Sequence, residues 1–337
     1  MQIQQVQDLD ALRRFHAVEA AASQHDYVAL PADPFEELVP LLEAPEAAGN
    51  LVRMFVGLEG DEPVGVLSLR YPTLDNLDNG NAELAVHPAH RRQGHGRALL
   101  QYALDHVRAQ GRSRLLLEAP WSTDGGDGPA FPLLRSLRAK PALDTHRRLL
   151  DLARHPVGPP PAVPAGYRLV QWVDRAPDDL LDGAAYLRGR MTLDAPLGEL
   201  TIEQEKWDAA RYREKEAQGL ARNRMLLGTA VVHEASGAVA GITDISVNRE
   251  LHEIAYQWDT IVDPDHRGRR LGLLVKSWNH RLLVRTCPTA AFVNTWNATS
   301  NTYMVAVNDA LGFEPAEKWT EWELDLSPGA PRLRSGR

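Results

Sequence analysis

The stretch His266-Arg267-Gly268-Arg269-Arg270-Leu271-Gly272-Leu273-Leu274-Val275-Lys276 joins the end of an apolar strand to the start of an amphipathic helix. Upstream, Ile254 to Val262 is rich in β-branched and aromatic residues, and Pro264 stops the strand. Downstream, Leu271, Leu274, Trp278 and Leu282 recur at helical spacing. A turn between such elements aims several backbone N–H groups and the positive end of a helix at one point, which suits an anion such as a pyrophosphate.

The same device occurs earlier. His90-Arg91-Arg92-Gln93-Gly94-His95-Gly96 follows Ala82-Glu83-Leu84-Ala85-Val86-His87-Pro88 and leads into Leu99, Leu100, Ala103, Leu104 and Val107. Arg91 and Arg267 stand 176 positions apart (267 less 91), and at that offset Val86, Pro88, His90 and Arg91 lie over Val262, Pro264, His266 and Arg267. After a slip of two residues, Leu149-Leu150-Asp151-Leu152 lies over Glu323-Leu324-Asp325-Leu326. The chain is an internal duplication.

The repeated turn resembles the coenzyme A signature of the Gcn5-related N-acetyltransferase (GNAT) superfamily, Arg/Gln-x-x-Gly-x-Gly/Ala between a strand and a helix. Arg91-x-x-Gly94-x-Gly96 matches it in full, whereas Arg267-x-x-Arg270-x-Gly272 carries Arg270 at the first glycine. The resemblance covers nearly the whole chain. It implies an α/β (α+β) protein of two tandem GNAT-like domains, as in the mycothiol synthases, each with a mixed, mainly antiparallel central sheet flanked by helices. The expected division is a first domain at 1–154, a Pro-rich linker at 155–165, a second domain at 166–327 and a flexible tail at 328–337. A dinucleotide-binding reading of Gly94-His95-Gly96 fails at its third glycine, where Leu99 stands.

Composition narrows the function classes. A length of 337 residues suits two domains, and 44% hydrophobic with 24% charged residues is ordinary for a globular protein. No apolar run approaches the roughly 20 residues that span a bilayer, and Met1 to Asp8 lacks the basic and apolar regions of a signal peptide, so a cytoplasmic protein is expected. A formal net charge of −8 argues against nucleic-acid binding and favours a cationic substrate. Cys287 is the only cysteine, expected as a packed thiol, and His87, His90 and His95 read as solvated residues rather than metal ligands.

Along the chain, Ala11, Phe15, Val18 and Ala22 make the stripe of a first helix capped by Asp8 or Asp10, and Asp33-Pro34 opens a second. Val52 to Leu58 and Pro63 to Tyr71 read as a hairpin, Arg114 to Glu118 as a strand and Phe131 to Lys140 as a helix. In the second half, Tyr167 to Trp172 reads as a strand, Pro177 to Arg190 as a helix, 191–198 as a loop and Ile202 to Gln218 as a charged helix. Met225 to His233 and Ala238 to Val247 form a hairpin.

In the GNAT fold the strand before the phosphate loop splays from the next strand, and pantetheine enters the gap. By resemblance these are the strand ending at Val262 and the one at Ala290 to Thr295. Backbone N–H groups of Ile261 or Val262 would then hold pantetheine and polarise a thioester carbonyl, a role worth roughly 3 kcal/mol per donor. The cradle would comprise Arg267, Gly268, Arg269, Arg270, Leu271 and Gly272, with Lys276, Asn297 and Asn301 beside it. In the first copy it would comprise Val86, Arg91, Arg92, Gly94 and Gly96.

Asn301 to Gly312-Phe313 resembles the family's Asn-x-x-Ala-x-x-x-Tyr-x-x-x-Gly-Phe ending, with Asn308 where the family's tyrosine, its usual general acid, would stand. On helical spacing Asn301 and Asn308 share a face and Tyr303 points elsewhere. An alkylammonium with pKa about 10.4 must lose a proton before it attacks a thioester. Glu253 and Asp259, on the strand facing the gap, are the candidate acceptors, Asp259 lying over Glu83 of the first copy; Asp194 on the preceding loop is the candidate substrate contact.

The first half lacks both the asparagine and the closing Gly-Phe, so catalysis is assigned to the second. The sequence thus predicts an acyl-CoA-dependent N-acyltransferase, most simply an N-acetyltransferase using acetyl-CoA, acting on a small-molecule amine without a metal, nucleic acid or membrane. The sequence does not fix the oligomeric state, and a monomer formed by intrachain pairing of the two domains is compatible with it. The rival is a GNAT-derived coenzyme A binding or scaffolding module without turnover.

Overall fold

The computed structural model describes residues 1–327; the tail expected at 328–337 lies outside them. The chain forms two compact units. The first comprises Met1–Thr145, Leu197–Glu203 and the residues from Glu317 onward, and the second comprises His146–Pro196 and Gln204–Ala316.

In the first unit, β1 (Gln2–Gln5), α1 (Leu9–Asp26), α2 (Phe35–Glu43), β2 (Glu46–Ala47), β3 (Asn50–Glu59), β4 (Glu62–Pro72), β5 (Asn79–Val86), α3 (His95–Ala109), β6 (Arg114–Pro120) and α4 (Phe131–Ser136) follow in order. Asp8 caps α1 by accepting from the Ala11 N–H at 2.8 Å. The sheet runs β1-β3-β4-β5-β6, antiparallel except for β5 and β6. On one face Leu12, Phe15 and Val18 of α1 pack with Leu38 of α2 on Val52, Met54 and Val66. On the other, Leu99, Ala103 and Val107 of α3 and Phe131 and Leu134 of α4 cover Phe55, Leu67 and Leu115.

The second unit contains β8 (Tyr167–Val173), α5 (Leu181–Gly189), α6 (Met191–Asp194), α7 (Ala209–Ala221), β9 (Arg224–His233), β10 (Val239–Asn248), β11 (Ile254–Val262), α8 (Leu271–Thr286), β12 (Phe292–Ala298) and α9 (Thr302–Ala310). Its sheet repeats the first, β8-β9-β10-β11-β12 with only β11 and β12 parallel. Here α5 and α7 cover one face through Leu181, Ala184, Leu187 and Tyr212, and α8 covers the other through Leu271, Leu274, Leu282 and Leu283. Each unit is therefore the expected mixed, mainly antiparallel sheet flanked by helices.

The last strand of each sheet was not legible in sequence. β7 (Lys140–Asp151) and β13 (Glu314–Asp325) are the duplicated segments that close the two halves, and each crosses a unit boundary. Glu317 to Asp325 belongs to the first unit, where Trp319 to Asp325 pairs antiparallel with β6 and buries Trp322 and Leu324 in the α3 core, joined there by Leu326. His146 to Asp151 belongs to the second, where Arg147 donates to the Asn294 side chain of β12 and Leu150 joins the α8 core. The boundary thus falls inside β7 rather than in the Pro-rich segment. That segment lies on α8 of the second unit, where the Trp278 indole N–H donates to the Pro161 carbonyl at 3.1 Å.

Several local expectations give way. The charged helix begins at Ala209, capped by Asp208, and 201–208 is irregular; the loop at 191–198 opens with α6; the helix from Phe131 ends at Ser136 because Lys140 starts β7. His95 is 5% exposed, so it is a packed residue rather than a solvated one.

Candidate active site

In both units the parallel central strands separate toward their C-terminal ends. β5 pairs with β6 only from Asn79 to Ala82, and β11 with β12 only from Ile254 to Tyr256, leaving the last residues of each strand unpaired on that side. The second gap has a further break. Between β10 and β11 the register advances from Thr243↔Thr260 to Ile245↔Gln257, so Trp258 and Asp259 together oppose Asp244. This β-bulge interrupts the ladder beside the gap. The equivalent pairing of β4 with β5 runs from Gly65↔Val86 to Arg70↔Asn81 without interruption.

Each gap ends at its turn. Both turns place left-handed residues at the same two positions, Arg92 (φ 64°) and Gly94 (φ 93°) in the first, Gly268 (φ 79°) and Arg270 (φ 58°) in the second. The motif's departure at Arg270 is therefore a reciprocal one: each copy has glycine at one left-handed position and arginine at the other, where a side chain costs roughly 1–2 kcal/mol. The first N–H groups of α3 and α8 have no partner within their helices and point out of the turns. A Cβ built on Gly272 meets nothing closer than the Tyr303 hydroxyl at 3.7 Å, and one on Gly96 nothing closer than Val86 at 3.7 Å. A Cβ at either glycine would stand in ordinary van der Waals contact, and the unpaired helix N–H groups above fit a pyrophosphate held by backbone.

The signature arginines do other work. Arg267 donates from Nε to the Val262 carbonyl at 3.1 Å and pairs with Asp194 at 2.8 Å, and Arg190 grips the same carboxylate with two bonds of 2.9 Å. Arg91 does the same, with Nε on the Val86 carbonyl at 3.1 Å and two bonds of 2.7 Å to Asp26 at the end of α1. Burial works against the Asp26 charge, but hydrogen bonds from Arg91 and His25 prevail and hold its carboxyl below the usual range. Asp194 therefore pins a turn, and both arginines shape the cradle from behind.

On the α5 face, at the level of the bulge, Arg188 lies between two carboxylates, 2.7 Å from Asp259 and 3.2 Å from Asp244. Arg188 is 8% exposed and stacks its guanidinium 5.1 Å from the Trp207 ring. Gly183 allows this, because a Cβ there would meet Val239 of β10 at 2.6 Å, so α5 sits unusually close to the strand. Burial pushes the Asp244 carboxyl up, and the Asp259 charge adds to that against the pull of Arg188. For Asp259 burial is outweighed by Arg188 and Lys215, which hold it low. One arginine and two carboxylates with separated acidities form a poised acid–base group. The first unit has Ser68 opposite Glu83 at this level, Glu83 pairs at 3.8 Å with the exposed Arg70, and α1 turns Leu12, Phe15 and Val18 inward.

On the α8 face, Asn308 is fully buried. Its Oδ1 accepts from Lys276 Nζ at 2.5 Å and its Nδ2 donates to Asn297 Oδ1 on the separated end of β12. Lys276, expected at the cradle, is 1% exposed in the core, where burial and then the Arg148 charge push its ammonium down to about 7. Asn301 caps α9 by accepting from the Met304 N–H at 3.1 Å. Tyr303, expected to point elsewhere, is 55% exposed and stands over Gly272. Glu253 lies just before β11, where its carbonyl accepts from the Ala291 and Phe292 N–H groups at 2.9 Å, six residues from Asp259 and so about 20 Å away. The structure thus brings Asp259 to the gap and leaves Glu253 outside it. Sequence reasoning missed Asp244 and Arg188, although an aspartate amid Ile-Thr-Asp-Ile-Ser-Val and an arginine on the stripe Leu181, Ala184, Arg188 were both signals.

Comparison with known proteins agrees with this architecture. Residues 16–123 match the model of the Acetyltransferase (GNAT) family. Over 250 residues the chain is 28% identical to the Mycothiol acetyltransferase of Saccharomonospora viridis, covering 70% of this chain and 71% of that one. A tandem GNAT protein from the clavulanic acid biosynthesis pathway superposes with a TM-score of 0.82 at 29% identity, over 97% of this chain and 99% of the other. A GCN5-related N-acetyltransferase from Sphaerobacter thermophilus shares the fold, with a TM-score of 0.67 at 16% identity over 97% and 96% of the two chains. Residues 16–123 thus match the GNAT acetyltransferase family, and the chain as a whole is similar to a tandem GNAT protein. Among the described residues no helix is long and apolar enough to cross a membrane.

Proposed function

We propose that the second unit transfers an acyl group, most simply acetyl, from acyl-CoA to the nitrogen of a small amine. Bound acyl-CoA supplies the acyl group as an activated thioester, so that a C–N bond forms as the C–S bond breaks. Backbone N–H groups of Gly268 to Gly272 would hold its pyrophosphate, and those of the interrupted β11 edge near Ile261 and Val262 its pantetheine and carbonyl oxygen. Asp244, whose carboxyl is pushed up, takes the proton from the incoming ammonium, and Asp259 keeps Arg188 in place and charged.

The bulge of Trp258 and Asp259 against Asp244 supports this reading, because it sets backbone outside the strand ladder and a carboxylate of raised basicity at one point of the gap in the second unit. The first unit keeps a cradle without that group, and we assign it cofactor binding or a structural role. The test is thiol release from acetyl-CoA across a panel of amines. Release that depends on one amine class is expected. Background hydrolysis with every amine, together with tight coenzyme A binding, favours a non-catalytic binding module, a reading that the buried Asn308 in place of tyrosine keeps open.

A further inference from the structure

The α8 face of the second gap contains a buried lysine that no carboxylate pairs with among the described residues. Lys276 Nζ lies 2.5 Å from Asn308 Oδ1 and 5.2 Å from the centroid of the Phe313 ring. The groups packed around it are His280 one turn along α8, pushed down to about 3 by burial and the Lys276 charge, and Arg148, which bonds Asp309 and the Phe313 carbonyl. His280 is neutral and Arg148 is engaged, so neither neutralises the lysine.

Lys276 Nζ donates to the oxygen of the Asn308 amide, and in its ammonium form, which prevails below about pH 7, it can only donate. That turns Asn308 Nδ2 forward onto Asn297 Oδ1. A carboxamide carries its oxygen and nitrogen on opposite sides, so Asn297, with its oxygen held inward, directs its own nitrogen away from Asn308. Asn297 is half-buried, three residues beyond the last β11–β12 pair at Asn294, and no acceptor for its Nδ2 is recorded among the described residues. Its face is opposite the one from which Arg188 and the two aspartates approach, which is where a leaving group departs if the amine arrives from the α5 side.

We propose that Lys276 and Asn308 are positioning residues that fix Asn297 as the hydrogen-bond donor to the departing thiol sulfur. This rests on the acyl-transfer reading above. Asn308, with no exposed surface, does not touch the reacting atoms; it transmits orientation from Lys276 to the residue that does. A thiolate leaving group with pKa near 8.5 is satisfied by a donor of this kind without full proton transfer.

Asn308→Asp separates this from a packing role. The aspartate still accepts from Lys276 and gains an ion pair, so the fold is kept, but it has no N–H for Asn297. The expected result is an unchanged or higher Tm, kcat lowered about tenfold and an acetyl-CoA KM within about threefold of wild type, the signature of an interaction made only as the bond breaks. Lys276→Met should lose kcat to a similar degree and Lys276→Gln, which keeps an N–H donor, should recover part of it. Wild-type kcat in either Asn308→Asp or Asn297→Ala would overturn the proposal. If wild type acylates no amine, the transfer reading fails by itself, and positioning is read instead from the side-chain amide signals of Asn297 in ¹⁵N spectra. On addition of coenzyme A these should shift in wild type and not in Asn308→Asp; equal shifts in both would overturn it.

Discussion

Arg188 sets the chemistry of the second gap, because its one charge is divided between two carboxylates that would otherwise repel each other. Asp244→Asn should lower kcat/KM by about a hundredfold, the usual contribution of a general base, while Tm holds or rises. The folded Asp244 carboxyl is raised, so the stability it contributes is present below its unfolded value and lost as pH rises through the folded one. Asp259 has the opposite sign: it stabilises above its unfolded value, and that contribution is lost as pH falls through the lowered folded one. Melting curves of wild type and Asp244→Asn across the carboxylate range should converge at low pH and separate toward neutrality. A Tm loss in Asp244→Asn at neutral pH would mean that the carboxylate serves Arg188 alone. At this scale the sequence exposed Asp259 through its register with Glu83, but Asp244 stood inside an apolar hairpin and only the bulge brings it opposite Asp259. The Lys276–Asn308 link was out of reach, because it joins two helices 32 positions apart.

The turns were the most legible elements, since their arginines and glycines answer to local backbone geometry. What the arginines bind was not legible, because Asp26 and Asp194 reach them from other helices. Asp194→Ala should therefore raise the acetyl-CoA KM roughly three- to tenfold, the loss expected of a partly buried ion pair of about 1 kcal/mol, and leave the amine KM unchanged. A change confined to the amine KM would restore Asp194 to the acceptor site. Arg270 adopts the left-handed conformation at the start of α8 with its side chain exposed. Arg270→Gly should relieve about 1 kcal/mol of backbone strain, offset in part by the greater freedom of the unfolded chain. Denaturant titration should show a midpoint equal to or above wild type, and a lower midpoint would mean that the arginine side chain makes a stabilising contact.

Across the whole molecule, duplication was read from the 176-residue offset, but the closing strands were not, because a strand beside its own half and one beside the other carry the same alternation. Trp322, 2% exposed in the α3 core of the first unit, comes from the last strand of the chain. Trp322→Ala should cost roughly 3–5 kcal/mol, and residues 1–154 expressed alone should lack a cooperative melt until a peptide spanning Glu317 to Leu326 is added. A cooperative melt of that fragment by itself would contradict the strand assignment. The central claim is that acyl transfer belongs to the second unit, and the most direct measurement is single-turnover transfer from acetyl-CoA by Gly272→Glu and Gly96→Glu. Both positions have room for a Cβ, so each substitution chiefly puts a negative charge where a pyrophosphate would lie. The account predicts that Gly272→Glu abolishes transfer at acetyl-CoA concentrations that saturate wild type, while Gly96→Glu retains the wild-type rate. Loss of transfer in Gly96→Glu with transfer intact in Gly272→Glu would contradict it.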